Sequence, residues 1–158
     1  MCQSYRLIAL CLLLALSAGC GGAGDDGDTG AESALHFVVQ VSQPTAEEFE
    51  IDLGYANQGD ATIPADDTFD GAWELRDATG NLRASGQVHT LPELPPGEEA
   101  LPLRWAGQLD PGVYRIVWGG RGRGHTAASF EVTQGSGGPR LGGVEVGPVS
   151  PEDPPFIE

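Results

Sequence analysis

The 158-residue sequence contains no lysine, one methionine and three cysteines. All eight of its basic residues are arginines, and 23 acidic residues bring the formal net charge to −15 at pH 7. Nucleic acid and anionic lipid headgroups both repel a chain with this charge. We therefore expect no nucleic-acid partner, while the charge is compatible with a cationic partner or with solubility alone.

All three cysteines lie within the first twenty residues. Arg6 is the only charged residue among the first 24, and it precedes an apolar run at residues 7–16. A charged start followed by a short apolar run is typical of a secretory signal peptide, and the run is too short to span a bilayer. Removal of such a peptide leaves Cys20 as the only thiol, which excludes a disulfide within the mature chain.

The residues before Cys20 resemble a bacterial lipobox, in which small residues such as Ala18 and Gly19 precede a cysteine that is acylated and becomes the new N-terminus. The resemblance implies that residues 1–19 are a lipoprotein signal peptide. It also implies a covalent lipid on Cys20, and we expect no other cofactor. Several acyl chains anchor a protein durably, because each buried CH₂ contributes about 0.8 kcal/mol.

The residue after the cysteine bears on localisation in the cell envelope. In Gram-negative sorting an aspartate there favours the inner membrane, so Gly21 implies the periplasmic face of the outer membrane if the source is Gram-negative. The alternative is an ordinary signal peptide and a soluble secreted protein.

Composition divides the rest of the chain into three parts. Residues 20–34 are mainly glycine and acidic residues, which predict a flexible tether. Residues 134–158 are rich in glycine and proline and predict a disordered tail, although Leu141, Val144 and Val146 leave a short edge strand open. Residues 35–133 have the size of a single domain.

Apolar side chains in this domain recur at every second position. Phe49, Ile51, Leu53 and Tyr55, for example, alternate with acidic residues or glycine. This period is typical of half-buried strands, and turn signals separate about seven such runs. The sequence therefore predicts an all-β fold, an immunoglobulin-like antiparallel β-sandwich of about seven strands.

Aromatic residues indicate how the sandwich is packed. Tyr114 follows a tight Asp-Pro-Gly turn at residues 110–112, the position of the tyrosine corner in immunoglobulin-like folds. Trp73 and Trp105 lie on the apolar sides of their strands and are predicted core residues. Trp118 borders a glycine-rich loop, so its place is left open.

Four motifs, at residues 57–60, 69–80, 94–98 and 111–114, occur in an order similar to the bacterial intracellular proteinase inhibitor (BsuPI-type) domain, a small immunoglobulin-like fold. The match covers roughly residues 49–118. The same turns also resemble the cell-adhesion-related (CARDB) domains of bacterial surface proteins. These motifs mark turns, so they are informative about fold and say little about function.

The first resemblance implies proteinase inhibition, which requires a rigid exposed loop. The best candidate is a proline-rich turn, because proline lowers the entropy lost on ordering. This candidate inhibitory loop consists of Pro92, Glu93, Leu94, Pro95, Pro96 and Gly97.

Two clusters of charged residues suggest binding. Hard oxygen ligands at high density favour calcium, although the spacing is not that of an EF-hand and a solvated acidic loop is the simpler interpretation. The candidate ligands are Asp60, Asp66, Asp67 and Asp70. Arg121, Arg123 and His125 form a basic cluster between glycines, which would suit an anionic partner, or else form a plain hairpin tip.

The sequence contains no recognisable catalytic motif. The three histidines lie on separate segments, without a metal-binding spacing, and there is no Gly-x-Ser-x-Gly elbow. We therefore expect no enzyme but a membrane-anchored lipoprotein that presents an immunoglobulin-like interaction module to a protein or an envelope polymer. The alternatives are a proteinase inhibitor and, after it, an enzyme of unknown class.

Overall fold

The computed structural model describes residues 34–147, which form eight β-strands. The strands are β1 (Leu35–Ser42), β2 (Phe49–Asn57), β3 (Gly71–Asp77), β4 (Leu82–Val88), β5 (Glu99–Gly107), β6 (Gly112–Gly120), β7 (Gly124–Gly135) and β8 (Gly138–Gly147). The predicted all-β class is confirmed, with one strand more than expected. No helix within the described part of the chain is long and apolar enough to cross a membrane. The predicted signal peptide, Cys20 and nearly all of the predicted tether lie outside the described residues.

The strands form two antiparallel sheets, in the orders β1-β2-β5 and β4-β3-β6-β7-β8. Because every pair is antiparallel, loops alternate between the two ends of the sandwich. One end, which we call the long-loop end, carries residues 58–70, 89–98 and 121–123 together with Ala34 and Gly147. The opposite, short-loop end carries residues 43–48, 78–81, 108–111 and 136–137.

Trp118 lies at the centre of the core and is fully buried. It belongs to β6, which has neighbours on both sides in the five-stranded sheet, and its indole Nε1 donates a hydrogen bond to the carbonyl oxygen of Gly54 in the other sheet at 2.9 Å. The rings of Phe37 and Tyr55 pack on it with centroids 5.5 Å away. Trp118 therefore joins the two sheets.

The prediction for the other two tryptophans was only partly right. Trp73 and Trp105 pack against the core but are half-buried. Trp105 lies on β5, an edge strand, so one side of its ring has no neighbouring strand to cover it.

The predicted tyrosine corner is present. The Tyr114 hydroxyl donates a hydrogen bond to the carbonyl oxygen of Asp110 at 2.8 Å, and the ring stacks on Phe130 with centroids 5.6 Å apart. Burial raises the pKa of this hydroxyl, so it stays a hydrogen-bond donor at neutral pH. The contact fixes the crossing from β5 to β6 at the short-loop end.

A tight turn at residues 78–81 closes the β3–β4 hairpin. Gly80 adopts a φ of 83°, a left-handed conformation that favours glycine. The Asp77 carboxylate accepts hydrogen bonds from Thr79 and Asn81, and the hydroxyl of Thr79 contributes most to lowering the pKa of Asp77. The Asp77 carboxylate therefore stays ionised well below neutral pH.

The prediction of a disordered tail was wrong for residues 134–147. Strand β7 continues to Gly135, and β8 pairs with it as an edge strand. The side chain of Gln43 holds β8 in place: its Nε2 donates to the carbonyl oxygen of Pro139 at 2.8 Å, and its Oε1 accepts from the backbone N–H of Leu141 at 2.9 Å. Pro139 is tolerated because its outward position requires no ladder donor.

Candidate functional site

The long-loop end brings together all three regions that the sequence suggested for binding. The four candidate calcium ligands lie in loop 58–70, the candidate inhibitory loop lies within loop 89–98, and Arg121 and Arg123 lie at the β6–β7 hairpin. His125 is the second residue of β7, paired with Gly119. These segments are distant in sequence, and the sandwich topology alone makes them neighbours.

A buried side chain, Asn57, connects the loops of this end. It is the one buried polar residue among residues 34–147, with 1% of its surface exposed. Its Nδ2 donates to the carbonyl oxygens of Ala61 and Leu94, both at 2.8 Å, and its Oδ1 accepts from the backbone N–H of Gly59 at 2.9 Å. Both amide hydrogens are used, so the carboxamide leaves no donor unsatisfied.

The backbone of Asn57 extends the same network. Its N–H donates to the carbonyl oxygen of Glu98, and its carbonyl oxygen accepts from the N–H of Gly97, both at 2.9 Å. Asn57 therefore fixes the turn after β2 and the last residues of loop 89–98 at once.

The two long loops also pair directly with each other. Ile63 and Leu94 exchange two backbone hydrogen bonds of 2.9 Å, and Asp66 and Leu91 exchange a second pair of 2.9 and 2.8 Å. The side chains of Ile63, Leu91 and Leu94 are buried in the core. The two loops therefore form one ordered layer over the end of the sandwich.

Two ion pairs attach the β6–β7 hairpin to this layer. Arg123 Nη2 lies 2.6 Å from Asp66 Oδ2, and Arg121 Nε lies 2.9 Å from Asp70 Oδ2. The backbone N–H of Arg121 also donates to the carbonyl oxygen of Asp70 at 2.9 Å. Two residues of the predicted acidic cluster are thus the partners of two residues of the predicted basic cluster.

The environment of Asp66 keeps its carboxylate ionised. The hydroxyl and backbone N–H of Thr68 donate to it at 2.7 and 2.8 Å, and these bonds, with the charge of Arg123, lower the pKa of Asp66. A carboxyl whose pKa is lower in the folded state stabilises the fold above its unfolded pKa, and the contribution is lost only as the pH falls through the lower value. The Arg123 pair therefore persists at neutral and mildly acidic pH.

The structure does not assemble the predicted calcium ligands. Asp66 and Asp70 face arginines, and no three of the four carboxylates surround one point; across residues 34–147, no group of three acidic, histidine or cysteine side chains is arranged to hold a metal ion. Guanidinium groups occupy the place that the prediction gave to a cation.

The ion pairs of Arg121 and Arg123 also limit the capacity of the basic cluster to bind an anion. The side chain of Arg121 is 79% exposed and that of Arg123 is 30% exposed, and both already bind carboxylates. An anionic ligand would have to compete with Asp66 and Asp70. The arginines act first as structural links between the hairpin and loop 58–70.

The candidate inhibitory loop is rigid but only partly exposed. Leu94 is buried and bridged, Pro92 and Pro95 are half-buried, and Glu93 and Pro96 are exposed. Gly97 adopts a φ of 74°, which completes the turn into β5. The loop therefore presents Glu93 between two buried anchors, Leu91 and Leu94.

The sequence did not identify Asn57 as the centre of this end. Residues 57–60 read as a turn, which is right, but nothing in a single sequence indicates that the carboxamide reaches Leu94, 37 residues away. The hydroxyl of Tyr55, which donates to the carbonyl oxygen of Thr90 at 3.2 Å, was likewise interpreted only as part of a strand.

Comparison with known proteins leaves the family open. No model of a known protein family matches the chain, and no curated protein is similar to it in sequence. The resemblances to the BsuPI-type and CARDB domains therefore remain predictions.

Replacing Asn57 with alanine is expected to destabilise the protein by about 3 kcal/mol, because the three hydrogen bonds of its carboxamide, which join two loops, contribute about 1 kcal/mol each. Chemical denaturation followed by circular dichroism measures the change. Gln58→Ala is the matched control, since Gln58 is exposed and its backbone N–H still reaches the carbonyl oxygen of Ala34; it should cost less than about 0.5 kcal/mol. Equal stabilities of the two variants would show that the carboxamide does not hold the loops.

Proposed function

We propose that the protein is a lipoprotein, anchored in the cell envelope through a lipid on Cys20, whose β-sandwich is a non-enzymatic interaction module. Its binding surface is the long-loop end, and its partner is a protein or an envelope polymer. The observation that carries the proposal is the network around Asn57, which joins the turn after β2 and loop 89–98 into one ordered surface.

Order in the loops matters for binding because flexible loops lose entropy when they are immobilised. Recognition loops are commonly carried on a rigid scaffold, and ordering them before the encounter avoids that loss. Paired backbones and two arginine–aspartate links give this end such order. The connections at the short-loop end are two to six residues long, against 13 and ten residues for the two long loops.

The charge of the long-loop end indicates the chemistry of the partner. Asp60, Asp67, Glu93 and Glu98 are all exposed there, whereas both arginines are paired with carboxylates. Such a surface attracts cationic groups. We therefore propose that the partner presents lysine or arginine side chains, or amino groups of an envelope polymer.

The proposed anchor limits where this partner can be. Ala34, the first described residue, lies at the long-loop end, where its carbonyl oxygen accepts from the N–H of Gln58. Fourteen residue steps separate it from Cys20, and a fully extended chain of that length spans at most about 50 Å. The binding surface then lies within that distance of the membrane surface, so the partner is itself membrane-associated or membrane-proximal.

Photo-crosslinking in intact cells tests the binding surface. A photoreactive amino acid in place of Glu93, at the long-loop end, is expected to give a discrete crosslinked product in the native envelope. The same amino acid in place of Thr79, exposed at the short-loop end, is the matched control and should give none. Products from position 79 without products from position 93 would assign binding to the wrong end and contradict the proposal.

The anchor has a separate test. Cys20→Ala is expected to block acylation, so that the chain accumulates as an unprocessed precursor and incorporates no labelled palmitate. Immunoblotting of fractionated cells measures the processing, and detection of the label in the immunoprecipitated chain measures the acylation. Normal cleavage of the variant to a soluble form would contradict the lipoprotein assignment while leaving the interaction module itself possible.

A proteinase inhibitor is the second candidate function. The observation in its favour is the exposure of Glu93 between Leu91 and Leu94, whose buried side chains hold the loop rigid. A protease that inserted this residue into its specificity pocket would be one that cleaves after glutamate. The backbone hydrogen bonds of Leu94 with Ile63 and of Leu91 with Asp66 would need to remain intact in the complex, or be replaced by bonds to the protease.

The inhibitor hypothesis predicts a switch in target. The full-length chain should inhibit a glutamate-specific serine protease, and Glu93→Lys should redirect inhibition to trypsin. Glu98→Lys, which makes the same change at an exposed neighbouring position, is the control and should leave the preference unchanged. If both proteases stay fully active at micromolar excess of the original chain and of the Glu93 variant, the hypothesis is wrong.

A further inference from the structure

Strand β8 forms the edge of the five-stranded sheet, with β7 on one side. The Gln43 side chain occupies the first part of its other side, by accepting from the N–H of Leu141 and donating to the carbonyl oxygen of Pro139. The main-chain groups of these two residues therefore point away from β7. A carboxamide binds them by two hydrogen bonds, as a neighbouring strand would.

The alternation of the ladder fixes the direction of the remaining main-chain groups. Leu141 pairs with Val132, Val144 with Phe130 and Val146 with Ala128. A bulge adds one residue to β8 between Leu141 and Val144, but the three β7 partners keep alternate positions on the core side. In an antiparallel ladder, alternate residues share the same hydrogen-bond direction. The N–H and C=O groups of Val144 and Val146 therefore also point outward, beyond the reach of Gln43.

The side chains along this edge are apolar and incompletely covered. Val146 faces the inside of the sandwich but is 54% exposed, while Leu141 and Val144 are half-buried. Across from them, Val41 of β1 faces the core and is also half-buried. We call these four residues, Val41, Leu141, Val144 and Val146, the β8 seam.

The seam exists because the two sheets differ in width. The three-stranded sheet ends at β1, which packs chiefly on β7, so β8 extends beyond the strand that would cover it. An added strand requires free main-chain hydrogen-bonding groups and apolar surface for its side chains to cover, and the edge of β8 has both.

We propose that the β8 seam binds an extended strand of a partner protein, which adds to the five-stranded sheet by pairing with Val144 and Val146. Alternate side chains of that strand are apolar and fill the seam. This surface is distinct from the long-loop end, and the inference does not depend on the function proposed above.

Charge decides between this occupant and a second copy of the chain. Glu145 is exposed on β8 between the two valines, and the whole chain carries 23 acidic against eight basic residues. Two copies that paired Val144 with Val146 in the antiparallel sense would set their Glu145 side chains opposite each other, whereas a strand with basic residues at its outward positions would place them near Glu145. The chain's own residues 148–158 include four prolines, which lack the N–H that strand pairing needs.

A seven-residue peptide of alternating lysine and valine, with blocked ends and a fluorescent label, is the probe. Fluorescence anisotropy with the full-length chain should detect binding, and amide hydrogen exchange should slow at Val144 and Val146. Val146→Ser is expected to weaken binding about fivefold, because part of a valine side chain is no longer buried. Val113→Ser is the matched control: Val113 is 48% exposed on the other face of the same sheet, and binding should be unchanged.

Two control peptides separate strand pairing from simple charge attraction. One has the same composition with the four lysines together, and the other carries N-methyl groups on alternate amides; both should bind at least tenfold more weakly. Equal binding by either one would overturn the proposal. So would exchange protection at the long-loop end in place of β8. Protection of the Val144 and Val146 amides without peptide would also overturn the proposal. If that protection rises with protein concentration, the seam binds a second copy of the chain. If the protection is independent of concentration, the seam binds residues 148–158.

Discussion

A carboxamide without contact to water must find a partner for each of its polar atoms, and this constraint organises the long-loop end. Asn57 meets it by bonding to Ala61, Leu94 and Gly59, which belong to two different loops. An unsatisfied buried donor or acceptor costs about 1–3 kcal/mol, so any movement of one loop away from the other is opposed at Asn57. The loops are therefore held in one arrangement by satisfied hydrogen bonds and do not rely on their exposed charges.

The exposed charges determine the charge of this surface more than its stability. Arg121 and Arg123 link the hairpin to Asp70 and Asp66, but exposed ion pairs contribute little to stability, and Arg121 in particular is mostly in solvent. Their larger effect is on the character of the surface, because they use the cations of this end and leave exposed carboxylates such as Asp67 and Glu93. The end is consequently rigid because of its backbone and acidic because of its internal pairing.

Local patterns in the sequence predicted the local parts of this structure. Alternation of apolar residues identified the strands, and the Asp-Pro-Gly turn identified Tyr114 as a corner. The failures concern contacts between distant residues. Arg123 contacts Asp66 across 57 positions in the sequence. Strand β8 is held by Gln43 across 96 and 98 positions. Residues 138–147 contain few apolar side chains, so their own sequence did not predict that strand.

The need of polar atoms for hydrogen-bond partners also explains why the surfaces around the carboxamides of Asn57 and Gln43 differ. Asn57 lies buried inside the layer that it organises, and its carboxamide uses both hydrogens and its oxygen in bonds to that layer. Gln43 lies at the rim and reaches only Pro139 and Leu141, so the ladder continues past it with main-chain groups still directed outward at Val144 and Val146. A buried amide thus completes one end of the sandwich. A rim amide of the same chemistry completes only the first part of an edge, and the remaining part keeps both the hydrogen-bonding pattern and the apolar side chains that favour a further strand.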